Sequence, residues 1–149
     1  MAKLYLPNEW KELVELLNSN EVKYIIVGGV AVTYHGYPRF TGDIDFWIAV
    51  SKDNADKVIK CLNEFGFGSL GLSSADFLDD DMVLQLGRQP LRIDFLTSLT
   101  GLIFDECYPK AIVTEYEGIK LTILDKDSLL VNKAALGRPR DLGDVEELK

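Results

Sequence analysis

Cysteine and histidine are scarce, with two of the first and one of the second among 149 residues. Cys61 and Cys107 lie far apart and lack C-x-x-C or Cys/His ligand spacing, which argues against a zinc site or a disulfide framework and predicts buried free thiols in a reducing compartment. Long apolar runs are also missing. Stretches such as 24–31 and 46–50 fall well short of the roughly 20 residues a membrane helix requires, so no membrane association is expected. Residues 1–5 give way to a charged, amphipathic segment at 8–12 with no apolar core or small-residue cleavage site, so a cytoplasmic location is expected. Positive charge is the minority sign: 16 Lys+Arg against 24 Asp+Glu leave −8. A surface of that sign repels nucleic-acid backbones and anionic lipid and argues against broad nonspecific DNA binding.

What remains is an ordinary globular composition, 47% hydrophobic, 10% aromatic and 27% charged, with no repeat or linker to divide it. One domain over residues 1–149 is expected. A chain of this length buries roughly two-thirds of its unfolded surface, so it needs neither metal nor disulfide to fold. Asn8 is placed to cap a helix whose Trp10, Leu13, Val14, Leu16 and Leu17 recur at helical spacing. The β-branched run 22–28 predicts a buried strand, 30–35 a short helix, 43–50 a second strand and 52–65 a helix closed by Gly66. After a glycine-rich turn at 66–71, Ser74 or Asp76 is placed to cap a brief helical turn. Residues 81–86 and 91–97 read as one hairpin, 113–116 and 119–123 as another. Asp125 or Asp127 then opens a helix through Leu136, and Pro139 occupies the first turn of a last helix reaching Leu148.

Asp43 and Asp45 stand two residues apart in a strand, so both carboxylates leave the same face. Like charges held that close raise one carboxyl's proton affinity or demand a cation, and oxygen ligands suit Mg²⁺ or Mn²⁺. A solvated strand start is the plain alternative. Asp94 is a single acid inside the apolar run 91–96 and needs a partner, either Arg92 on its own side of the strand or a metal shared with the first pair. A D-x-D plus one Asp from a neighbouring strand is what a two-metal phosphoryl or nucleotidyl transfer site requires. Gly28-Gly29 follows the first strand fourteen residues before Asp43. Bare glycines let backbone N–H groups meet phosphate, and a tight strand-to-helix turn uses the same two residues.

Taken together, these residues resemble the DNA polymerase beta-like nucleotidyltransferases, and among them the small bacterial proteins related to abortive-infection type IV toxins. The family's apolar strand with Gly-Gly or Gly-Ser resembles Val27-Gly28-Gly29, its Arg-x-Thr-x-Asp-Ile-Asp resembles Arg39 through Asp45, and its third acid resembles Asp94. Its C-terminal Lys-x(4)-Arg-Pro-Lys-Asp-x-x-Asp is similar to Lys133 through Asp144, with Arg140 in place of the lysine.

The resemblance implies an α+β fold, with a mixed β-sheet flanked by helices and a C-terminal helical segment. It implies catalytic, metal-ligating Asp43, Asp45 and Asp94, an NTP substrate, and Mg²⁺ or Mn²⁺. Gly28, Gly29, Arg39, Thr41, Lys133 and Asp141 become nucleotide-binding, with Lys133 reaching toward the glycine turn. The acceptor is left open among RNA, protein and small molecules, and a toxin-like role would bring an antitoxin partner. From the residues alone, Lys133 also reads as a lysine at the edge of an apolar helix face. Arg39 and Thr41 also read as turn-shaping residues, and His35 as a helix C-cap. A catalytically silent nucleotide- or partner-binding module of the same fold is the competing class. A D-x-D glycosyltransferase accounts for neither Gly28-Gly29 nor Asp94.

Overall fold

The computed structural model of the chain describes residues 4–37, 41–88 and 91–149. Helix α1 (Asn8–Ser19) buries Trp10, Leu13, Val14 and Leu17 as one apolar stripe. Its N-cap is Pro7, not Asn8: with φ −57° and ψ 155° the proline already holds the extended conformation a cap needs, and its carbonyl accepts the Lys11 N–H at 3.1 Å. Strand β1 (Tyr24–Val27) is buried throughout and runs without a loop into α2 (Gly28–Tyr34), which starts two residues earlier than residue 30 because Gly28 takes φ +68°. Strand β2 (Asp43–Ile48) and helix α3 (Lys52–Phe65) follow. Ser51 Oγ accepts the Asn54 N–H at 3.1 Å to cap α3, which ends on Gly66 at φ 108°.

Next come β3 (Val83–Arg88), β4 (Leu91–Leu96), the short α4 (Phe104–Cys107), β5 (Ile112–Tyr116) and β6 (Ile119–Ile123). Two C-terminal helices complete the chain, α5 (Lys126–Leu136) and α6 (Pro139–Leu148). Asp125 is the cap of α5, its carboxylate accepting the Ser128 N–H at 3.1 Å. Helix α4 was not foreseen, since its four residues are too few for a periodic signal; Phe104 is held by edge-on packing against Trp47, ring centroids 5.2 Å apart. Among the described residues no helix is long and apolar enough to cross a membrane.

The six strands form one mixed sheet in the order β3-β4-β2-β1-β6-β5. β1 is antiparallel to β2 and parallel to β6, β2 is parallel to β4, and the β3–β4 and β5–β6 pairs are antiparallel. Register decides which residues share a face. Ile26 lies opposite Phe46, and Phe46 opposite Phe95, so these point to one side, where Phe77 packs edge-on to Phe95. The alternate residues point to the other: Val27 lies opposite Asp45, Asp45 opposite Asp94, and Asp43 opposite Arg92. One face of the central strands is therefore aromatic core, and the other is charged at its Asp43 end.

Ser51→Ala removes the α3 cap without touching the sheet. A loss of about 1 kcal/mol is expected for such a cap, read by thermal unfolding as a fall of about 2–4 °C in Tm for a domain of this size.

Candidate active site

Three carboxylates meet at the start of β2. One oxygen from each of Asp43, Asp45 and Asp94 lies within 4.8 Å of the other two. Asp94 is buried and the other two are half-buried. The Asp45 carboxyl is pushed from 3.8 up to about 8, chiefly by burial and then by the charges of Asp43 and Asp94. Asp94 is raised as well, again by burial first and then by the charge of Asp43, against partial relief from Asp45 and Arg92. That relief is limited, because Arg92 Nη2 stands 3.9 Å from Asp94 Oδ2, beyond hydrogen-bond reach. Asp94 Oδ1 is buried and has no hydrogen-bond partner among the described residues. Hard oxygen donors, surplus negative charge and one orphaned buried oxygen fit a divalent cation of the Mg²⁺ or Mn²⁺ kind.

Gly28 is part of this centre for a steric reason. A Cβ at this position would overlap the Asp45 carboxylate and lie 3.0 Å from its Cγ, and the φ of +68° disfavours any side chain. The carboxylate thus sits where another residue's side chain would be. Gly29 is buried as the second residue of α2.

A cavity of about 350 Å³ opens over Asp43 and Asp45, lined also by Gly28, Gly29, Thr41 and Lys133 and by three arginines, Arg92, Arg138 and Arg140; Asp94 does not line it. Thr41 Oγ1 donates to the Asp43 carbonyl at 2.9 Å, tying the entry of β2 to the cavity wall. Lys133 lines this cavity together with the glycine turn, but its ammonium is taken up by Asp141 at 3.3 Å and Asp144 at 3.5 Å. It is no lysine at the edge of an apolar face, since its side chain is 6% exposed. Asp141 is fully buried and also accepts from Arg138 Nε at 2.5 Å. These contacts, the Arg138 bond foremost, hold the Asp141 carboxyl below its ordinary value despite its burial. Asp141 therefore positions two cavity-lining cations instead of facing the cavity itself.

His35 follows α2 and its Nε2–H donates to the Leu124 carbonyl at 2.7 Å, a structural tie to the end of β6. Arg39 lies outside the described residues. Arg138, Arg140 and Asn132 were not foreseen as cavity residues, and Arg92 was considered only as a partner for Asp94. Its spacing of two from Asp94 already placed both on one strand face, and the Arg-Pro-Arg sequence at 138–140 marked a basic helix start.

The family described as "Nucleotidyl transferase of unknown function" matches residues 7–149. No curated protein matches the chain. Among solved structures, an antigenic nucleotidyltransferase-like protein from Paracoccidioides brasiliensis is similar, with a TM-score of 0.56 at 18% identity over 93% of this chain and 71% of that one. At this identity the likeness is one of fold. It agrees with the expected mixed sheet, flanking helices and C-terminal helical segment.

Two outcomes test the electrostatics. In metal-free protein the folded state holds more protons than the unfolded state between the ordinary 3.8 and the raised value near 8 of Asp45, so stability falls as pH rises through that window. The carboxyls held low, Asp56, Glu117 and Asp141, act below it. Thermal unfolding without divalent metal should give a lower Tm at pH 8 than at pH 5, and Asp45→Asn should flatten that slope; a slope unchanged in the variant contradicts the assignment. Lys133→Ala removes a buried cation that contacts Asp141 and Asp144 while Arg138 still holds Asp141, and should cost about 3 kcal/mol in urea unfolding, the lower end for a broken buried pair, with partial recovery when Asp144→Asn is added.

Proposed function

Because the chain belongs to this family of nucleotidyl transferases, we propose that it transfers a nucleoside monophosphate from an NTP to a hydroxyl acceptor in a reaction dependent on Mg²⁺ or Mn²⁺. The observation that carries this reading is the meeting of Asp43, Asp45 and Asp94 within 4.8 Å around a buried, unpartnered carboxylate oxygen. Asp43, Asp45 and Asp94 would hold the cation. When bound, it supplies Lewis-acid neutralisation of the triphosphate and eases loss of the hydroxyl proton.

The chain's own residues have distinct parts in this reading. Gly28 leaves Asp45 room and exposes backbone to the phosphates, and Gly29 and Thr41 line the same wall. Arg138 and Arg140 bring positive charge to the cavity of a chain of net −8, where an incoming triphosphate needs it, while Lys133 is balanced by Asp141 and Asp144. The acceptor oxygen bonds to the α-phosphorus, the bond from that phosphorus to the α–β bridging oxygen breaks, and pyrophosphate leaves with the electron pair. Asp94, level with Asp45 on the neighbouring strand, takes the hydroxyl proton. The resemblance to abortive-infection proteins extends the proposal to a toxin-like cytoplasmic enzyme restrained by an antitoxin.

One observation favours a second reading. Lys133, the lysine matched to the family's phosphate contact, is neutralised by Asp141 and Asp144, as a nucleotide- or partner-binding module without catalysis would allow. The test is label transfer from α-labelled NTPs with Mg²⁺ or Mn²⁺ to RNA, protein and small-molecule acceptors. Wild type should transfer label. The Asp43→Asn, Asp45→Asn double variant should keep its fold but lose at least about 10²-fold in rate, since metal stabilisation amounts to several kcal/mol. Nucleotide binding without transfer to any acceptor establishes the silent module, and no nucleotide binding at all overturns both readings.

A further inference from the structure

We infer that Arg92 recognises an anionic group on the acceptor, a phosphate mono- or diester close to the reacting hydroxyl; the inference rests on the nucleotidyl-transfer reading above. The strand order β4-β2-β1 puts the strand bearing Asp43 and Asp45 between β1, which ends in the glycine turn, and β4, which carries Arg92. Neighbouring strands lie about 4.8 Å apart, so the turn and Arg92 flank Asp43 and Asp45 on opposite sides, about 10 Å across. Displacement at phosphorus runs in line, with the entering and leaving oxygens opposite one another. A triphosphate seated at Gly28-Gly29 therefore meets its acceptor on the β4 side.

Arg92 is a cation on that side. It lies opposite Asp43 in the ladder, shares the face of the acids and lines the cavity. Its guanidinium is loosely held: Nη2 stands 3.9 Å from the nearest Asp94 oxygen, a long ion pair without a hydrogen bond, and the side chain is 33% exposed. The planar fork of a guanidinium matches two oxygens of one phosphate. Lys133 and Arg138, by contrast, are already bonded to Asp141. A neutral or cationic acceptor offers the exposed part of this guanidinium no charged partner, whereas a phosphate next to the hydroxyl does.

The test uses the full chain with Mg²⁺, an α-labelled NTP and two matched acceptor pairs. Ribose against ribose 5-phosphate represents free sugar phosphates, and uridine against the dinucleotide UpU represents nucleic-acid ends. Wild type should favour the phosphate-bearing member of at least one pair by about tenfold or more in kcat/KM, the scale of a charge-assisted hydrogen bond. The pair showing the preference identifies the source. In Arg92→Gln that ratio should fall to about one with the Kd for NTP unchanged, and Arg92→Lys should restore part of it. A ratio that survives Arg92→Gln, or no preference in wild type, overturns the inference. If NTP binds but no acceptor is labelled, the transfer reading fails, and binding of the same four compounds to protein loaded with a non-hydrolysable NTP analogue decides for Arg92. Binding that favours the phosphates and depends on Arg92 supports it, and equal binding of neutral and anionic members overturns it.

Discussion

Mutual repulsion among three carboxylates, held on one sheet face and partly out of water, is the constraint on which the rest of this structure turns. The period of two in β2 puts Asp43 and Asp45 on one side, and parallel pairing with β4 brings Asp94 level with Asp45. None of the three can retreat, because the opposite faces of the same strands are filled by Phe46 and Phe95, stacked at 5.5 Å. The Asp45 carboxyl is pushed up to about 8, by burial first and then by the charges of Asp43 and Asp94. Gly28 answers the same constraint from β1, its missing side chain leaving space for the Asp45 carboxylate. A cation, a proton or a nearby guanidinium can relieve the repulsion; the proposed chemistry uses the first, and Arg92, 3.9 Å from Asp94, supplies only part of the last.

Positive charge is placed accordingly. In a chain with net charge −8, three arginines and Lys133 line the cavity above the acids. Two of these cations are organised by Asp141, which is fully buried between them, and Asp144 completes the hold on Lys133. The cluster also ties α5 to α6, so the C-terminal helices serve both as a wall of the cavity and as a fixed mount for its charges. Buried charged pairs of this kind contribute little net stability compared with apolar packing. Their value here is positional.

Much of this was legible in the sequence where local periodicity was enough. The helix over 52–65 with Gly66 beyond it, the strand from Asp43 and the two hairpin pairs all follow from spacing that the structure retains, with shifts of a few residues at strand ends. The common face of Asp43 and Asp45 needed nothing more than strand alternation. What local pattern could not supply was the partner of a buried charge. Lys133 meets Asp141 and Asp144 across the turn between two helices, a pairing set by how α6 folds back onto α5. The short α4 was hidden for a related reason, since Phe104 is ordered by Trp47, far away in sequence. The glycine turn was found, but its steric debt to Asp45 became visible only with the register of β1 and β2 in place.

The most direct test of the central claim is a count of protons released when the acid cluster takes up a divalent cation. Mn²⁺ with a non-hydrolysable NTP analogue can be titrated calorimetrically at pH 7 in buffers of different ionisation enthalpy, with the analogue alone as reference. Since burial and the neighbouring acids push the Asp45 carboxyl up to about 8 without metal, binding should release close to one proton per chain at pH 7 and far less at pH 9. Mn²⁺ binding that releases no proton at either pH, or that is as tight in the Asp43→Asn, Asp45→Asn variant, would contradict a cation site built on carboxylate repulsion.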